Sequence, residues 1–342
     1  MTWNMARMGR YLLLGFMLVA GETEVGAKPP SLSIDQLREQ HEPSTLMFER
    51  ALPPGDGYSA ALFSYKSSGL KVYALVATPN SPPPAAGFPV LVANHGFHPN
   101  PKRYGLTAGG VDSRPGDYYR IIPMLYAKRG FLVVMPDYRG HNSSEGFEFT
   151  EGFLASGYYT EDVLALVSGL GAIESADLRN VFMWGHSLGG EVTLRALLAT
   201  KRINGASIWS SVGGDVWDQA YYYSRYENLA APDSRDAPKA PLDRLRQDIA
   251  NLGTPYDWTT HEPLRYLGYL TTPLIIHHAL GDRSANYDWS TRLAKELLLG
   301  EHPYVFYTYE GSDHLLQAPQ IDVAADRDAA FFGALMIRPG TP

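Results

Sequence analysis

Three residue types in this chain could together carry out acyl transfer: a serine, a histidine and an aspartate. The serine is Ser187, in Gly185-His186-Ser187-Leu188-Gly189-Gly190. A serine hydroxyl attacks poorly until a base takes its proton. The histidine is His314, in Glu310-Gly311-Ser312-Asp313-His314, and imidazole can take that proton near neutral pH and return it to a leaving group. The aspartate is Asp282, in His277-His278-Ala279-Leu280-Gly281-Asp282, and a carboxylate there would hold the imidazole tautomer and stabilise the imidazolium. Negative charge developing on the substrate would need two amides: Leu188, directly after the serine, and Phe97 in His95-Gly96-Phe97.

The surrounding sequence supplies the elements such chemistry needs. Residues 181–184 are apolar and read as a buried strand, and residues 191–200 carry Leu194, Leu197 and Leu198 on one helical face. Strand, sharp turn and helix is the setting in which Gly-x-Ser-x-Gly lifts a strained serine above a sheet. The helix N-terminus behind Ser187 adds free N–H groups where charge will develop. Asp282 and His314 follow expected strands at 273–279 and 304–309, so all three groups fall at strand ends, where ligands bind in open sheets.

Competing assignments are weaker. Asp313 adjoins His314 in sequence, where side chains diverge, and Asp288 lies on an expected helix. His302 precedes a strand and so belongs to the opposite edge of the sheet. His277 and His278 are consecutive on a strand and point to opposite faces, which disfavours a metal site. His186 reads as a packing residue, and Asp137 with Arg139 as a structural ion pair. No metal or nucleotide pattern stands out, the Gly109-Gly110 pair is no phosphate loop, and no cofactor is expected.

Along the chain, strands are expected at 60–66 and 70–78 as a hairpin, then at 88–94, 131–135, 181–184, 206–210, 273–279 and 304–309. Helices are expected at 117–128, 159–170, 191–200, 288–299 and 321–334. Buried strands separated by helices mean an α/β fold with a mostly parallel sheet covered on both faces. Residues 58–211 and 272–338 form this catalytic body. Residues 28–57, with Pro43, Pro53 and Pro54, read as a surface lead-in that opens with a short helix near 33–41. Residues 212–271 are too long for a simple loop and hold Trp217, Tyr221, Tyr222, Tyr223, Tyr226, Tyr256, Trp258, Tyr266 and Tyr269. They read as a small inserted aromatic cap with helices at 215–229 and 241–252. Its rings either stack on ligands or pack the cap onto the body.

The 342 residues carry a formal net charge of −7, which disfavours nucleic acid as a partner, and the absence of cysteine excludes disulfides and thiolate chemistry. Residues 1–27 read as a signal peptide: Arg7 and Arg10, an apolar run at 11–20, then Val25-Gly26-Ala27 as a cleavage site. That apolar run is short for a membrane span, so the expected destination is the periplasm or the exterior, with an uncleaved anchor as the alternative.

His95-Gly96-Phe97, Asp137-Tyr138-Arg139-Gly140-His141 with Ser144-Glu145-Gly146, the stretch 185–190, Asp282 and His314 together resemble the α/β-hydrolase superfamily. More narrowly they resemble the prolyl-oligopeptidase catalytic domain and related bacterial esterases, over roughly residues 58–335. The resemblance implies a serine hydrolase without a cofactor, with Ser187 as nucleophile, His314 as base, Asp282 as acid, and Phe97 and Leu188 as oxyanion donors. Its substrates would be esters, or short peptides as the alternative, and a non-catalytic binding protein on the same scaffold is a more distant one. Peptidases of that group carry an N-terminal β-propeller, which residues 28–57 cannot form. His98 stands where a further small residue is expected.

Overall fold

A computed structural model of the protein describes residues 32–39, 43–98, 101, 118–150, 155–230, 240–251, 257–311 and 313–338. The expected signal peptide, the end of the loop after Phe97 and Gly109-Gly110 lie outside the described residues.

A short helix, α1 (Ile34–Glu39), buries Ile34 and Leu37. Three antiparallel strands follow: β1 (Met47–Gly55), β2 (Tyr58–Ser67) and β3 (Leu70–Pro79). Ser68 and Gly69 join β2 to β3, with φ of 48° and 80°. Two consecutive positive φ values match the twist of a tight hairpin. The remaining body alternates strand and helix: β4 (Phe88–Asn94), α2 (Ile121–Ala127), β5 (Leu132–Pro136), α3 (Ala155–Gly169), β6 (Ala176–His186), α4 (Leu188–Ala199) and β7 (Gly205–Trp209). After an insert containing α5 (Val216–Ala230) and α6 (Ala240–Asn251) come β8 (Leu274–Ala279), α7 (Tyr287–Leu299), β9 (Tyr304–Tyr309) and α8 (Gln320–Leu335).

The strands form one nine-stranded sheet in the order β1-β2-β3-β5-β4-β6-β7-β8-β9. From β5 to β9 neighbouring strands are parallel. Every residue of β5, β7 and β8 is buried, as strands covered on both faces require. Alternate side chains feed two cores. Val90, Val92, Met183, Ile208 and Ile276 pack with α1, α3, α4 and α7. Leu91, Val133, Phe182, Trp184 and Trp209 pack with α2 and α8. This is the α/β-hydrolase architecture.

Two local readings change. The segment around Pro53 and Pro54 is not a broken lead-in but part of β1. Among the described residues it pairs only with β2, and a register shift between Leu52 and Gly55 brackets the prolines. Proline lacks the N–H of an interior strand, but an edge strand with an irregular ladder tolerates it. Arg139 finds its carboxylates on α3 rather than at Asp137. Its Nη2 donates to Asp162 Oδ1 at 2.7 Å and to Glu161 Oε2 at 3.1 Å, while Asp137 accepts from Asn142 Nδ2 at 2.9 Å. Tyr138 and Gly140 both take positive φ, and this tight reversal after β5 turns the guanidinium toward α3.

Within the insert, Tyr222 and Tyr223 pack on Trp289 of α7, and their hydroxyls donate to the carbonyls of Arg283 and Ser284. Trp217 and Tyr221 are exposed. Of these, Tyr222 and Tyr223 pack onto the body while Trp217 and Tyr221 face solvent.

Candidate active site

Ser187 occupies the single residue between β6 and α4, with φ 57° and ψ −126°. A side-chain-bearing residue in such a conformation costs on the order of 1–3 kcal/mol, so the surroundings must over-determine it. They do so through the backbone. The Ser187 N–H donates to Trp209 O at 3.0 Å, and its carbonyl accepts from Gly190 N at 2.9 Å and Val212 N at 3.0 Å. The flanking glycines leave no room for side chains. A Cβ on Gly185 would collide with the Gly189 carbonyl and Thr193, and one on Gly189 with the carbonyls of Asn94 and His95. This is the strained turn expected from the sequence.

The loops after β8 and β9 bring Asp282 and His314 together. His314 Nδ1 donates to Asp282 Oδ2 at 2.8 Å. The other carboxylate oxygen accepts from the amides of Ser284 at 2.8 Å and Ala285 at 3.0 Å. Burial raises the Asp282 carboxyl, but the bond from His314 and these amides outweigh it, and its pKa is lowered below the ordinary value. The group is therefore a carboxylate at neutral pH. With the proton on Nδ1, Nε2 carries a lone pair and can act as a base. Asp313 does something else: its Oδ1 accepts the backbone N–H of His314 at 2.7 Å. Asp288 stands in the first turn of α7, where its N–H is capped by Asn286.

Gly96, on the loop after β4, abuts Ser187. A Cβ there would lie 2.9 Å from Ser187 Cβ and 2.5 Å from the Tyr119 hydroxyl oxygen. Leu188 opens α4 and is partly buried, and the Phe97 ring is exposed. His277 and His278 do point to opposite faces. His277 meets Asp328 on α8, while His278 meets Ser290 on α7 and stands 3.5 Å from Asp282. Among the described residues, no cluster of three or more His, Cys, Asp or Glu could hold a metal ion.

Sequence reasoning missed two features. His186 is more than packing: its Nε2 donates to the carbonyl of His314 at 2.9 Å, and its Nδ1 accepts from the Tyr119 hydroxyl. Glu191, one turn along α4 from Ser187, is buried in a cleft with Ser156, Arg195, Gln219 and His261. It accepts from Ser156 Oγ at 2.9 Å and Gln219 Nε2 at 3.3 Å, and burial raises its carboxyl. Only a polar residue inside the apolar face of a helix hinted at it.

Residues 118–336 match the model of the prolyl oligopeptidase family. The chain is 25% identical over 256 residues to the uncharacterized peptidase YtmA of Bacillus subtilis (strain 168), which spans 73% of this chain and 84% of that protein. Among solved structures it is similar to the acetyl xylan esterase from Paenibacillus sp. R4, with a TM-score of 0.62 and 16% identity, over 89% of this chain and 92% of the esterase. It is also similar to the dipeptidyl peptidase 4 of Porphyromonas gingivalis, with a TM-score of 0.58 and 17% identity, over 87% of this chain but 36% of the peptidase. At these identities the two structures speak for the shared fold alone, whereas the family model covers most of the chain. The protein is a serine hydrolase, and it belongs to the prolyl oligopeptidase family.

Proposed function

We propose that Ser187, His314 and Asp282 form the catalytic triad of a carboxylic-ester hydrolase working through an acyl-enzyme. The observation that carries this reading is the Nδ1–carboxylate bond of 2.8 Å between His314 and Asp282 beside the strained serine turn. His314 Nε2 takes the Ser187 proton as Oγ attacks the ester carbonyl. The amides of Leu188 and Phe97 receive the oxyanion, supported by the close approach of Gly96 to Ser187. The tetrahedral intermediate collapses, and His314 returns the proton to the departing alcohol. Water, activated by the same imidazole, then releases the acid and frees the serine. Asp282 stays ionised throughout and stabilises the imidazolium.

Esters are favoured as substrates because the similarity to the acetyl xylan esterase runs over 92% of that enzyme, against 36% of the dipeptidyl peptidase. The exposed Trp217 and Tyr221 of the insert suit aromatic or sugar-linked acyl groups. Short peptides are the second reading, favoured by the family and by the peptidase relative. A panel of aryl esters, acetylated sugars, feruloyl esters and proline p-nitroanilides decides between them. Turnover of the anilides at rates comparable to the esters would overturn the ester reading.

Export is part of the same proposal, supported by the basic, apolar and small-residue order of residues 1–27. No described helix is long and apolar enough to cross a membrane. N-terminal sequencing of the mature protein should begin near Lys28. An intact Met1 on membrane-bound material would instead favour an anchor.

A further inference from the structure

The residue before the nucleophile has two hydrogen bonds that packing alone does not require. His186 is fully buried, stacks on Trp184 at a 14° interplanar angle and lies with its ring centroid 4.4 Å from that of His314. A carbonyl oxygen can only accept, so the 2.9 Å contact to His314 O fixes the proton on His186 Nε2. Nδ1 is then the acceptor, and the Tyr119 hydroxyl must donate to it. The same hydroxyl oxygen lies where a Cβ on Gly96 would reach 2.5 Å. One chain of contacts therefore runs from the loop after β4, through Tyr119 and His186, to the backbone of the loop after β9.

We propose that His186, oriented by Tyr119, is a positioning residue that anchors the loop carrying His314. The imidazole of His314 is already held by Asp282 at Nδ1. A second hold on its own carbonyl fixes the backbone from which the ring swings and aims Nε2 at Ser187. Burial keeps His186 neutral, pushing its pKa well below the ordinary value. The charged forms of His314 and His278 act in the same direction, while the bond to the His314 carbonyl and Asp282 oppose them without outweighing burial. A neutral ring retains the one tautomer that serves both bonds.

The inference rests on the triad proposed above, and the test separates the two. The variants are His186→Phe, His186→Gln, Tyr119→Phe and Ser187→Ala. Each is assayed on p-nitrophenyl acetate, with active sites counted by a fluorophosphonate label run to completion and folding followed by melting temperature. His186→Phe keeps the ring's bulk and removes both bonds. Misplacing a catalytic group by about 1 Å can cost about 100-fold, so kcat per labelled site should fall by about 30- to 100-fold with KM little changed. Gln offers an amide N–H near the position of Nε2, so His186→Gln should recover most of that loss. Tyr119→Phe frees the ring to turn and should cost about three- to tenfold in kcat by the same argument.

A purely structural role would lower the melting temperature and the number of labelled sites while leaving kcat per site unchanged. A His186→Phe enzyme within twofold of the parent per site, or a Gln variant no better than Phe, overturns the inference. If His186→Phe does not fold, an unchanged kcat in Tyr119→Phe overturns it instead. A Ser187→Ala protein that still labels and turns over would sink the triad. A silent Ser187→Ala alongside a fully active His186→Phe would leave the triad standing and remove only this inference.

Discussion

Among the described residues, two groupings of serine, histidine and aspartate are wired differently: Ser187 with His314 and Asp282, and Ser207 with His277 and Asp328. In the first, Ser187 stands on a strained turn at the end of β6, His314 is partly accessible, and Asp282 bonds the histidine alone of the other two. In the second, Ser207 of β7, His277 of β8 and Asp328 of α8 are wholly buried between the sheet and α8. There the serine donates to the acid, not to the base, at 2.8 Å. His277 Nε2 and Trp209 Nε1 meet the same carboxylate at 2.8 and 3.0 Å, with the Tyr126 hydroxyl at 2.5 Å. The other nitrogen of His277 is occupied by the Tyr309 hydroxyl at 2.6 Å. Identical residue types therefore form the proposed triad in one place and a buried link between α8 and the sheet in the other. The order of connection and the access decide which.

The comparison breaks most sharply at the serines and acids. Ser187→Ala should lower kcat on an aryl ester by on the order of a million-fold with the melting temperature little changed. Retention of more than about a hundredth of the activity would remove Ser187 from the chemistry. Asp282→Asn should cost about four orders of magnitude in kcat, because the amide keeps the shape but no longer fixes the productive tautomer. Asp313→Asn, which alters only the cap on the His314 amide, should cost about tenfold or less. A crippling Asp313→Asn beside a mild Asp282→Asn would reverse the assignment.

Asp328→Asn should act on stability instead. Several donors converge on one buried carboxylate, and breaking such a buried site costs about 3–5 kcal/mol, measured by urea unfolding. The kcat per folded molecule should hold. A variant of full stability but lost activity would mean that the buried set takes part in the reaction.

Acid should sharpen the contrast between stability and chemistry. Burial lowers His95 to about 4 and His261 to about 3, and His186 and His278 are lowered as well. Below pH 6.5, the ordinary value of an imidazole, these residues bind protons when unfolded but not when folded. Stability is therefore fully present above that pH and is lost as pH falls toward the folded values, by up to about 1.4 kcal/mol per unit for each histidine. Melting should drop by several degrees between pH 7 and pH 5, and a flat profile would refute the buried neutral state. The smallest effect is expected for Ser207→Ala: about 1 kcal/mol of stability and no change in kcat.

Much of this molecule is local and so was legible along the chain. The turn at Ser187 needs glycines at fixed offsets, an apolar strand before it and a helix after it, and all of these lie within about one helical length of each other. β4 and β9 lie at the bounds expected from the sequence: β4 because a strand covered on both faces is apolar almost throughout, and β9, a part-exposed edge strand, because of its aromatic and β-branched residues. The serine–acid–histidine order followed from which loops leave the carboxyl ends of strands. β1 was hidden because prolines break interior strands, and only its place at the sheet's edge makes them tolerable.

What the chain alone left open depends on residues far apart in sequence. Asp282 and His314 lie 32 residues apart, and only the parallel pairing of β8 with β9 sets their loops side by side, with Asp282 facing the ring and Asp313 the backbone of His314. Arg139 is drawn to α3 by a backbone reversal that its neighbours in sequence do not announce. His186 looks like an apolar-strand residue until the loop 128 positions later presents a carbonyl to it. A hydrogen bond needs its partners within about 3 Å and correctly aimed, and only the order and register of the sheet bring such distant groups to that range.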